Sequence, residues 1–541
     1  MGRVTAATRW PEARARRGLI ASPHALASEA GVSILRRGGN AVDAAIAAAA
    51  TVAVVYPHMN GLGGDNVWLF FDGRRRALRA LNAAGRSASA ADLGSYRARF
   101  GAVIPPRGGA AALTVPGAVS GWWDAHVLSR DALGSPIPWK ALLEDAIVHA
   151  RDGFPPSPGQ RRVTAATADL FGHAAPAELR QSLWRAYHPA LLARSRFVQD
   201  ELARTLAEIA EGGADEFYRG ALARRISSGA AAAGSPLTAD DFAEHRADWV
   251  EPLRVPYRGG EAASVPPPTQ GFAALAILAL LDGFDLRSLD DADHVHLVVE
   301  ATKLAFEDRD RYLADPAVVD VPVDHCLDPA RLAERRRLIS RRAAMRADGA
   351  AAGGDTIAIV AADADGNAVA LIQSLYHEFG SGVIAGDTGV LLQNRGAFFS
   401  LDPAHPNRLA PRKRTAHTLI PSMYLVDGHP RLVYGTMGGE GQPQTQAALV
   451  TRILDRGLGP QAAVEAPRWL YGRTWGEASR SLKLEARFDP AVAASLGRRG
   501  HDVVLVEEWS DLMGHAHVLR IEPDGFTGGS DPRADGAALG W

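Results

Sequence analysis

The hydrophobic and polar positions at the start of the chain predict two helices. The first begins at Ser22 and ends at Gly38, because glycine is favoured just past a helix C-terminus. The second begins after Asn40, a residue suited to capping a helix, and continues as an alanine-rich run to Val55. Small side chains allow neighbouring elements to approach closely, so we expect the second helix to be buried.

Alternating apolar segments then predict hairpins. The first has its turn at Asp72-Gly73, and two similar hairpins in the second half have turns at Asp365-Gly366 and Asp427-Gly428. Between them the apolar spacing is close to 3.6 residues, which predicts helices. These helices are expected at 136–151, 197–211, 270–283 and 293–314. The chain is therefore predicted to be α/β, with a sheet-rich second half.

Composition excludes several classes of function. With 47% hydrophobic and 22% charged residues, the chain is expected to be a globular, soluble protein. A net charge of -2 provides no basic field for nucleic acid, and no stretch reaches the ~18 apolar residues of a membrane span. The N-terminus lacks the apolar core of a secretory signal, so we expect a cytoplasmic location.

Neither a metal nor a cofactor is expected. The single cysteine, Cys326, excludes an internal disulfide and a cysteine-based zinc site. The histidine pairs HVH and HAH lack a glutamate-containing companion motif. The glycine-rich segment NGLGGDNVW lacks the spacing of a dinucleotide-binding loop.

Three features of the second half point to chemistry near Thr356. Residues 340–355 are small, polar and glycine-rich, which is typical of a flexible linker, and they end in Asp355. Thr356 then opens a strand, and Gly438-Gly439 lies between a strand and a helix start. Each feature alone has an ordinary explanation, since threonine suits strands and Gly-Gly forms tight turns.

Together these features resemble the gamma-glutamyltransferase (glutathione hydrolase) family along most of the chain. The segments that carry the resemblance are SPHALASEAGVSILRRGGNAVDAAIAA, LTVPGAVSGWW, EATKLAFEDRDRYLADP, DTIAIVAADADGNAVALIQS, FGSGVIAGDTGVLLQNRG, LAPRKRTAHTLIPS and TMGGEGQPQTQ. The resemblance implies a four-layer αββα sandwich of the N-terminal-nucleophile hydrolase type, completed by both halves of the chain.

The family matures by cutting its own chain. The resemblance implies cleavage between Asp355 and Thr356, which would give a large subunit, 1–355, and a small subunit, 356–541. These two products would pair as a heterodimer, with a dimer of heterodimers as a further option. Thr356 falls on the family's nucleophile, and its freed α-amine, with a reference pKa of about 7.7–8.0, would be the base.

Two more positions match the family's catalytic groups. Gly438 and Gly439 correspond to a glycine pair whose backbone N–H groups bind the oxyanion of the intermediate. Ser374 falls on a second hydroxyl that supports the nucleophile and is a threonine in other members. The hydroxyl preserves the hydrogen bond, and a solvent-facing strand serine is the alternative interpretation.

The substrate pocket departs from the glutathione-cleaving members. The residues that hold the glutamyl group there are replaced by Ser89, Tyr376 and Phe398, and a serine pair is replaced by His417-Thr418. A buried ammonium facing Phe398 would lack an ion pair, which costs several kcal/mol. Glutamyl recognition is therefore not expected.

Arg395 is the candidate that replaces this recognition. A guanidinium matches a carboxylate bidentately, and together with Tyr376, His417 and Thr418 it would suit a small amide that carries a carboxylate. Arg412 and Arg414 are further candidates, with a structural surface role as the alternative.

The changed positions resemble a divergent branch of the family that includes oxamate amidohydrolase. We therefore predict hydrolysis of a small amide, with oxamate giving oxalate and ammonia as the specific case. One alternative is a glutathione hydrolase or transferase with an unusual pocket. A second alternative is a non-catalytic member that never matures.

Overall fold

The computed structural model describes residues 8–174, 177–345, 355–472 and 479–541. Its strands, β1 to β17, are Ala13–Ala15, Gly18–Ser22, Asp65–Asp72, Ala77–Asn82, Asp248–Val250, Leu253–Tyr257, Gly260–Ser264, Asp355–Asp363, Ala368–Tyr376, Ser422–Val426, His429–Thr436, Trp469–Tyr471, Leu482–Glu485, Val503–Val506, Ala516–Glu522, Gly525–Ser530 and Ala537–Gly540.

The helices, α1 to α18, are Ala25–Arg36, Ala41–Val55, Leu93–Phe100, Ala118–Ala132, Trp139–Asp152, Pro158–Ala174, Ala177–Tyr187, Pro189–Leu192, Asp200–Tyr218, Ala221–Ala232, Ala239–Glu244, Gly271–Leu281, Asp291–Tyr312, Val323–Cys326, Pro329–Arg336, Gln442–Leu454, Pro460–Glu465 and Pro490–Arg498. Short 3₁₀ turns occupy Arg395–Phe398, Gly439–Gly441 and Asp511–Met513. No helix in the described ranges is both long enough and apolar enough to cross a membrane.

The two N-terminal helices confirm the sequence prediction. Asn40 caps α2 by accepting from the backbone N–H groups of Val42 and Asp43, and the Asp43 side chain accepts from the N–H of Asn40 in return. Every residue of α2 is buried. An alanine-rich helix allows this because its neighbours, α1 and α5, approach its surface closely. The expected burial of α2 is therefore observed.

Two large sheets form the centre of the molecule. Within the described residues each has seven strands, in the orders β1-β16-β15-β11-β10-β7-β6 and β17-β2-β8-β9-β3-β4-β5. Strands β8 and β9 of the second sheet pack on β11 and β15 of the first. Apolar side chains from both sheets fill the space between them, for example Val360, Ile372, Val433 and Leu519.

Helices cover the outer face of each sheet. Helices α1, α2, α4 and α5 share one apolar cluster with the outward side chains of β8 and β9, and α12, α13 and α16 share another with β10 and β11. The order of layers is helix, sheet, sheet, helix. The predicted four-layer αββα sandwich is confirmed, and strands from both halves of the chain build it.

A buried ionic network supports the turn that carries the glycine pair. The Arg533 guanidinium donates to both carboxylate oxygens of Glu485, at 2.7 and 2.6 Å, and to Asp531 at 2.9 Å. Arg468 bonds to Asp531 and also donates to the carbonyl oxygen of Gly514 at 2.7 Å. Gly514 lies against that turn so closely that a Cβ there would meet the Met437 carbonyl oxygen at 2.1 Å.

We expect Glu485→Gln to destabilise the fold strongly. The change leaves the Arg533 guanidinium, which is fully buried, without half of its neutralising charge. Breaking a buried pair in this way costs about 3–5 kcal/mol. The measurement is the midpoint of chemical denaturation of the purified protein.

The matched control is Glu211→Gln, which removes the same charge from an exposed pair with Lys140. Exposed pairs contribute about 0–1 kcal/mol, so its midpoint should change little. Equal shifts for the two variants would contradict this account of the network.

Candidate active site

The strand register brings three polar side chains to one end of the sandwich. Asp65 pairs directly with Ser374 between β3 and β9, and Thr356 lies beside them at the start of β8. Side chains two residues apart share a face, and Ala358, Ile372 and neighbouring residues of β3 lie between the sheets. Thr356, Ser374 and Asp65 therefore face the space between the sheets, and all three are buried.

The hydroxyls of Thr356 and Ser374 are in contact. Thr356 Oγ1 donates to Ser374 Oγ at 3.3 Å, and the Ser374 oxygen also accepts from the backbone N–H of Tyr376 at 2.8 Å. The pairing of β8 with β9 shifts register between Asp355 and Ile357, so the Asp355–Thr356 peptide lies at an irregularity of the sheet. Irregularities of this kind re-aim side chains next to active sites.

Tyr376 adopts a backbone conformation that is rare outside glycine. Its φ is 85°, and the residue is almost fully buried. The ring lies against the Arg395 guanidinium, with 4.2 Å from Cζ to the ring centre, and against the ring of Phe398 at 5.4 Å. Strained backbone of this kind is concentrated at functional sites, where surrounding contacts hold it.

Arg395 is a buried cation without a carboxylate partner. Its side chain is 1% exposed, and no Asp or Glu of the described residues lies within ion-pair distance of it. Its guanidinium donates to Thr418 Oγ1 at 3.3 Å and to Ser374 Oγ at 3.4 Å, while Nε has no acceptor. Burial lowers the pKa of Arg395 to about 10, so the group remains charged at neutral pH. Such a group can bind an anion.

His417 is held beside this cation by Asp65. Its backbone forms a bridge with Thr269, and its Nε2 lies 3.2 Å from Asp65 Oδ2. Burial, with Arg395 nearby, lowers the pKa of His417 to about 4, although Asp65 acts in the opposite direction. The ring is therefore neutral at pH 7, and its Nδ1 has no partner.

The glycine pair forms an open turn next to the nucleophile strand. Gly438 has φ 129° and Gly439 has φ 49°, conformations that other residues rarely adopt. No acceptor within the described chain pairs with the backbone N–H of either glycine. Gly435, just before the turn, lets the two sheets approach, because a Cβ there would meet Ile372 Cδ1 at 2.6 Å.

Two of the sequence candidates are engaged elsewhere. Arg412 is exposed and pairs with Glu244 at 2.8 Å. Arg414 is buried, but it pairs with Asp248 and donates to the Ala84 carbonyl oxygen at 2.7 Å. Of these three arginines, only Arg395 bonds to Ser374, which contacts Thr356, whereas the pairs formed by Arg412 and Arg414 fit the structural role that was their alternative interpretation.

Sequence reasoning missed Asp65 and Gln270. Gln270 Nε2 donates to the carbonyl oxygens of Thr418 and Gly439, at 3.2 and 2.9 Å, and so joins the pocket segment to the glycine turn. Its Oε1 accepts from Arg309 at 3.3 Å. The signal for Asp65 was an acid at the head of a strand with the apolar centre VWLFF, since a buried charge requires partners.

One cluster outside the site has the composition of a metal site. His296, Glu300 and His501 are buried, with potential ligand atoms within 4.8 Å of one another. Their hydrogen-bonding groups are largely engaged, because His296 bonds to His501 and to the Ser340 carbonyl oxygen, and Glu300 accepts from Lys303 at 2.7 Å. The Lys303 ammonium already supplies the positive charge that a metal would bring.

The cluster holds the start of the predicted linker. Glu300 Oε2 accepts from the backbone N–H of Met345 at 2.7 Å, and Lys303 donates to the Met345 carbonyl oxygen at 2.9 Å. Most of the predicted linker, residues 346–354, lies outside the described residues.

A cavity of about 1370 Å³ lies near the segment that follows Tyr376. Its walls include Arg107, Arg162, His377, Glu378 and Asp511. Thr356, Ser374 and Arg395 are not among its described lining residues. The described lining of this cavity therefore does not include the buried site at Thr356.

The chain is similar over nearly its full length to known enzymes. It is 46% identical to the oxamate amidohydrolase proenzyme of Klebsiella pneumoniae, covering 97% of this chain and 98% of that one. It is 45% identical to the glutathione hydrolase-like YwrD proenzyme of Bacillus subtilis, covering 96% and 98%. Its structure matches the crystal structure of cephalosporin acylase from Bacillus halodurans with a TM-score of 0.92, 35% identity and coverage of 99% and 98%.

The sequence profile described as gamma-glutamyltranspeptidase matches residues 27–541. Both the family and the matching crystal structure agree with the four-layer sandwich. The chain belongs to the gamma-glutamyltranspeptidase family and is an enzyme, a hydrolase of amide bonds of the N-terminal-nucleophile type.

Proposed function

We propose that this protein cuts itself before Thr356 and then hydrolyses a small amide that carries a carboxylate, with oxamate as the substrate. The single observation that carries the choice of substrate is the buried, unpaired guanidinium of Arg395 beside the hydroxyls of Thr356 and Ser374. The similarity to a protein named oxamate amidohydrolase supports the same choice.

In the maturation step, Thr356 Oγ1 attacks the carbonyl carbon of Asp355. The C–N bond between the two residues breaks and an ester forms, while the released nitrogen becomes the α-amine of Thr356. Water then cleaves the ester, leaving chain 1–355 with a terminal carboxylate and chain 356–541 with a free hydroxyl. The irregular pairing of β8 with β9 at this peptide supports the step, since irregularities of this kind re-aim side chains next to active sites.

In the catalytic step, the α-amine takes the proton of Thr356 Oγ1 as the oxygen attacks the amide carbon of the substrate. The unpaired N–H groups of Gly438 and Gly439 donate to the oxyanion, and Ser374 keeps the attacking hydroxyl in place. The C–N bond breaks, the nitrogen takes the proton and leaves as ammonia. Water then hydrolyses the oxalyl ester to oxalate and regenerates Thr356.

Arg395 selects the acyl group. Its guanidinium donates to the hydroxyls of Thr418 and Ser374. From this position it can also pair with a carboxylate that is attached directly to the reacting carbonyl carbon. A glutamyl group would add an α-ammonium close to this cation and to the ring of Phe398. Glutathione hydrolysis, favoured by the similarity to a glutathione hydrolase-like protein and, at 31% identity, to the glutathione hydrolase proenzyme of Escherichia coli, is the alternative that substrate tests distinguish.

We expect Thr356→Ala to abolish both maturation and turnover. Without the hydroxyl there is no attack on the Asp355 carbonyl, so intact mass should show one full-length chain, whereas the wild type shows two chains that divide at residue 356. The control is Thr388→Ala, which removes a buried hydroxyl that bonds only locally, to the Ala385 carbonyl oxygen and the Val390 N–H. A wild-type protein that remains full-length and inactive would instead favour the non-catalytic alternative.

We expect Arg395→Met to lower kcat/KM for oxamate by roughly 10²- to 10³-fold, because truncating one partner of a buried charge pair costs about 2–5 kcal/mol. Turnover of the neutral diamide oxamide should change much less, since it has no carboxylate for Arg395 to bind. The same variant should raise the thermal midpoint, because it removes a desolvated charge that has no partner.

Arg414→Met is the matched control for stability. It removes a buried guanidinium that is paired with Asp248, so its thermal midpoint should fall. Equal losses of oxamate and oxamide turnover in Arg395→Met would contradict the assignment of a carboxylate to Arg395. Wild-type turnover of γ-glutamyl anilides with none of oxamate would contradict the proposed substrate.

A further inference from the structure

Two atoms of opposite hydrogen-bonding character remain open in the buried site. Arg395 Nε is a donor without an acceptor, and His417 Nδ1 is buried without a partner. Both residues are 1% exposed, so bulk water does not satisfy these atoms. Buried polar groups are nearly always paired, which marks this place as one that a ligand completes.

The hydrogen-bonding state of His417 Nδ1 is fixed by Asp65. Asp65 Oδ1 accepts from the backbone N–H groups of Gly85 and Gly117, at 2.9 and 3.1 Å, and these bonds hold the carboxylate in one orientation. Its other oxygen, Oδ2, faces His417 Nε2 at 3.2 Å. A carboxylate only accepts hydrogen bonds, so Nε2 carries the proton of the neutral ring and Nδ1 presents a lone pair.

We propose that Asp65 is a positioning residue that fixes His417 as a hydrogen-bond acceptor, and that His417 Nδ1 accepts an N–H of the scissile amide. This inference rests on the proposed function, because it assigns a second contact to the same substrate. Arg395 then binds the carboxylate and His417 binds the amide nitrogen, so the two ends of oxamate are distinguished by charge and by hydrogen-bonding character.

The contact strengthens as the reaction proceeds. When the leaving nitrogen takes the proton that the Thr356 α-amine received from Oγ1, positive charge develops on it, and a lone pair aimed at its N–H stabilises that charge. His417 neither gains nor loses a proton in this step. The product oxalate has an oxygen where the nitrogen stood, so two acceptors face each other and the site holds its product weakly.

The decisive variant is Asp65→Asn. The backbone N–H groups of Gly85 and Gly117 still donate to an oxygen, so the amide oxygen of the new side chain takes the place of Oδ1. The NH₂ group of the new side chain then faces His417 Nε2. The ring must then accept at Nε2 and carry its proton on Nδ1. We expect kcat for oxamate to fall by at least about 10²-fold, as for a histidine held in the wrong tautomer. Inhibition by oxalate should become about ten-fold tighter or more, because Nδ1 now donates to a carboxylate.

The control is Asp363→Asn, another buried aspartate that accepts backbone N–H groups, at the opposite end of β8. We expect the ratio of kcat for oxamate to the inhibition constant of oxalate to be the same in Asp363→Asn as in the wild type. A purely structural role for Asp65 predicts weaker oxalate binding together with slower turnover, and this result would overturn the proposal.

A second measurement depends neither on the folding of Asp65→Asn nor on the substrate. Nitrogen-15 shifts of the histidine rings distinguish the two neutral tautomers, and assignment of His417 follows from the missing signal in His417→Gln. We expect the Nε2–H form in the wild type, and finding the Nδ1–H form there would overturn the proposal. Failure of the wild type to hydrolyse oxamate would reject the proposed substrate while leaving this tautomer result intact.

Discussion

The cost of burying the Arg395 guanidinium is the constraint around which the site is arranged. An isolated charge in a protein interior is unfavourable by several kcal/mol unless it is paired, and the described chain provides only the Tyr376 ring and two hydroxyls at more than 3 Å. The rest of the sandwich must supply the stability that holds Arg395 in place. A site that keeps such a charge is preorganised for a ligand carboxylate, because the desolvation has already occurred before binding.

The pairing and packing of the two sheets determine where the polar side chains of the site lie. Asp65, Ser374 and Thr356 are contributed by three adjacent strands, and their side chains share one face because β-strand side chains alternate. A register slip of one residue would turn Thr356 toward the helices. The apolar side chains between the sheets prevent such a slip, and Gly435 allows the glycine turn of the facing sheet to come close.

Much of the architecture could be predicted from local patterns. The capping residue Asn40 and the Asp-Gly turns determine helices and hairpins within a few neighbouring residues, and these were found where expected. The candidate site was reached by family resemblance, not by residue patterns alone. The sequence alone does not separate Arg395 from Arg414, because the groups that engage Arg414, Asp248 and the Ala84 carbonyl oxygen, are far away in the chain. Asp65 was missed for the same reason, since His417, its partner, is 352 positions away.

The electrostatics of the buried site bear on which acyl groups it can take. A substrate ammonium would lie close to Arg395, and two like charges a few ångströms apart in a poorly solvated site repel by several kcal/mol. Neither neighbour supplies a compensating negative charge, because the His417 ring is neutral and Phe398 presents only an aromatic ring. A carboxylate next to an uncharged amide avoids that repulsion and neutralises Arg395. The combination of one unpaired cation with one open acceptor therefore supports the proposal that the substrates are small amides of dicarboxylic acids and not amino-acid derivatives.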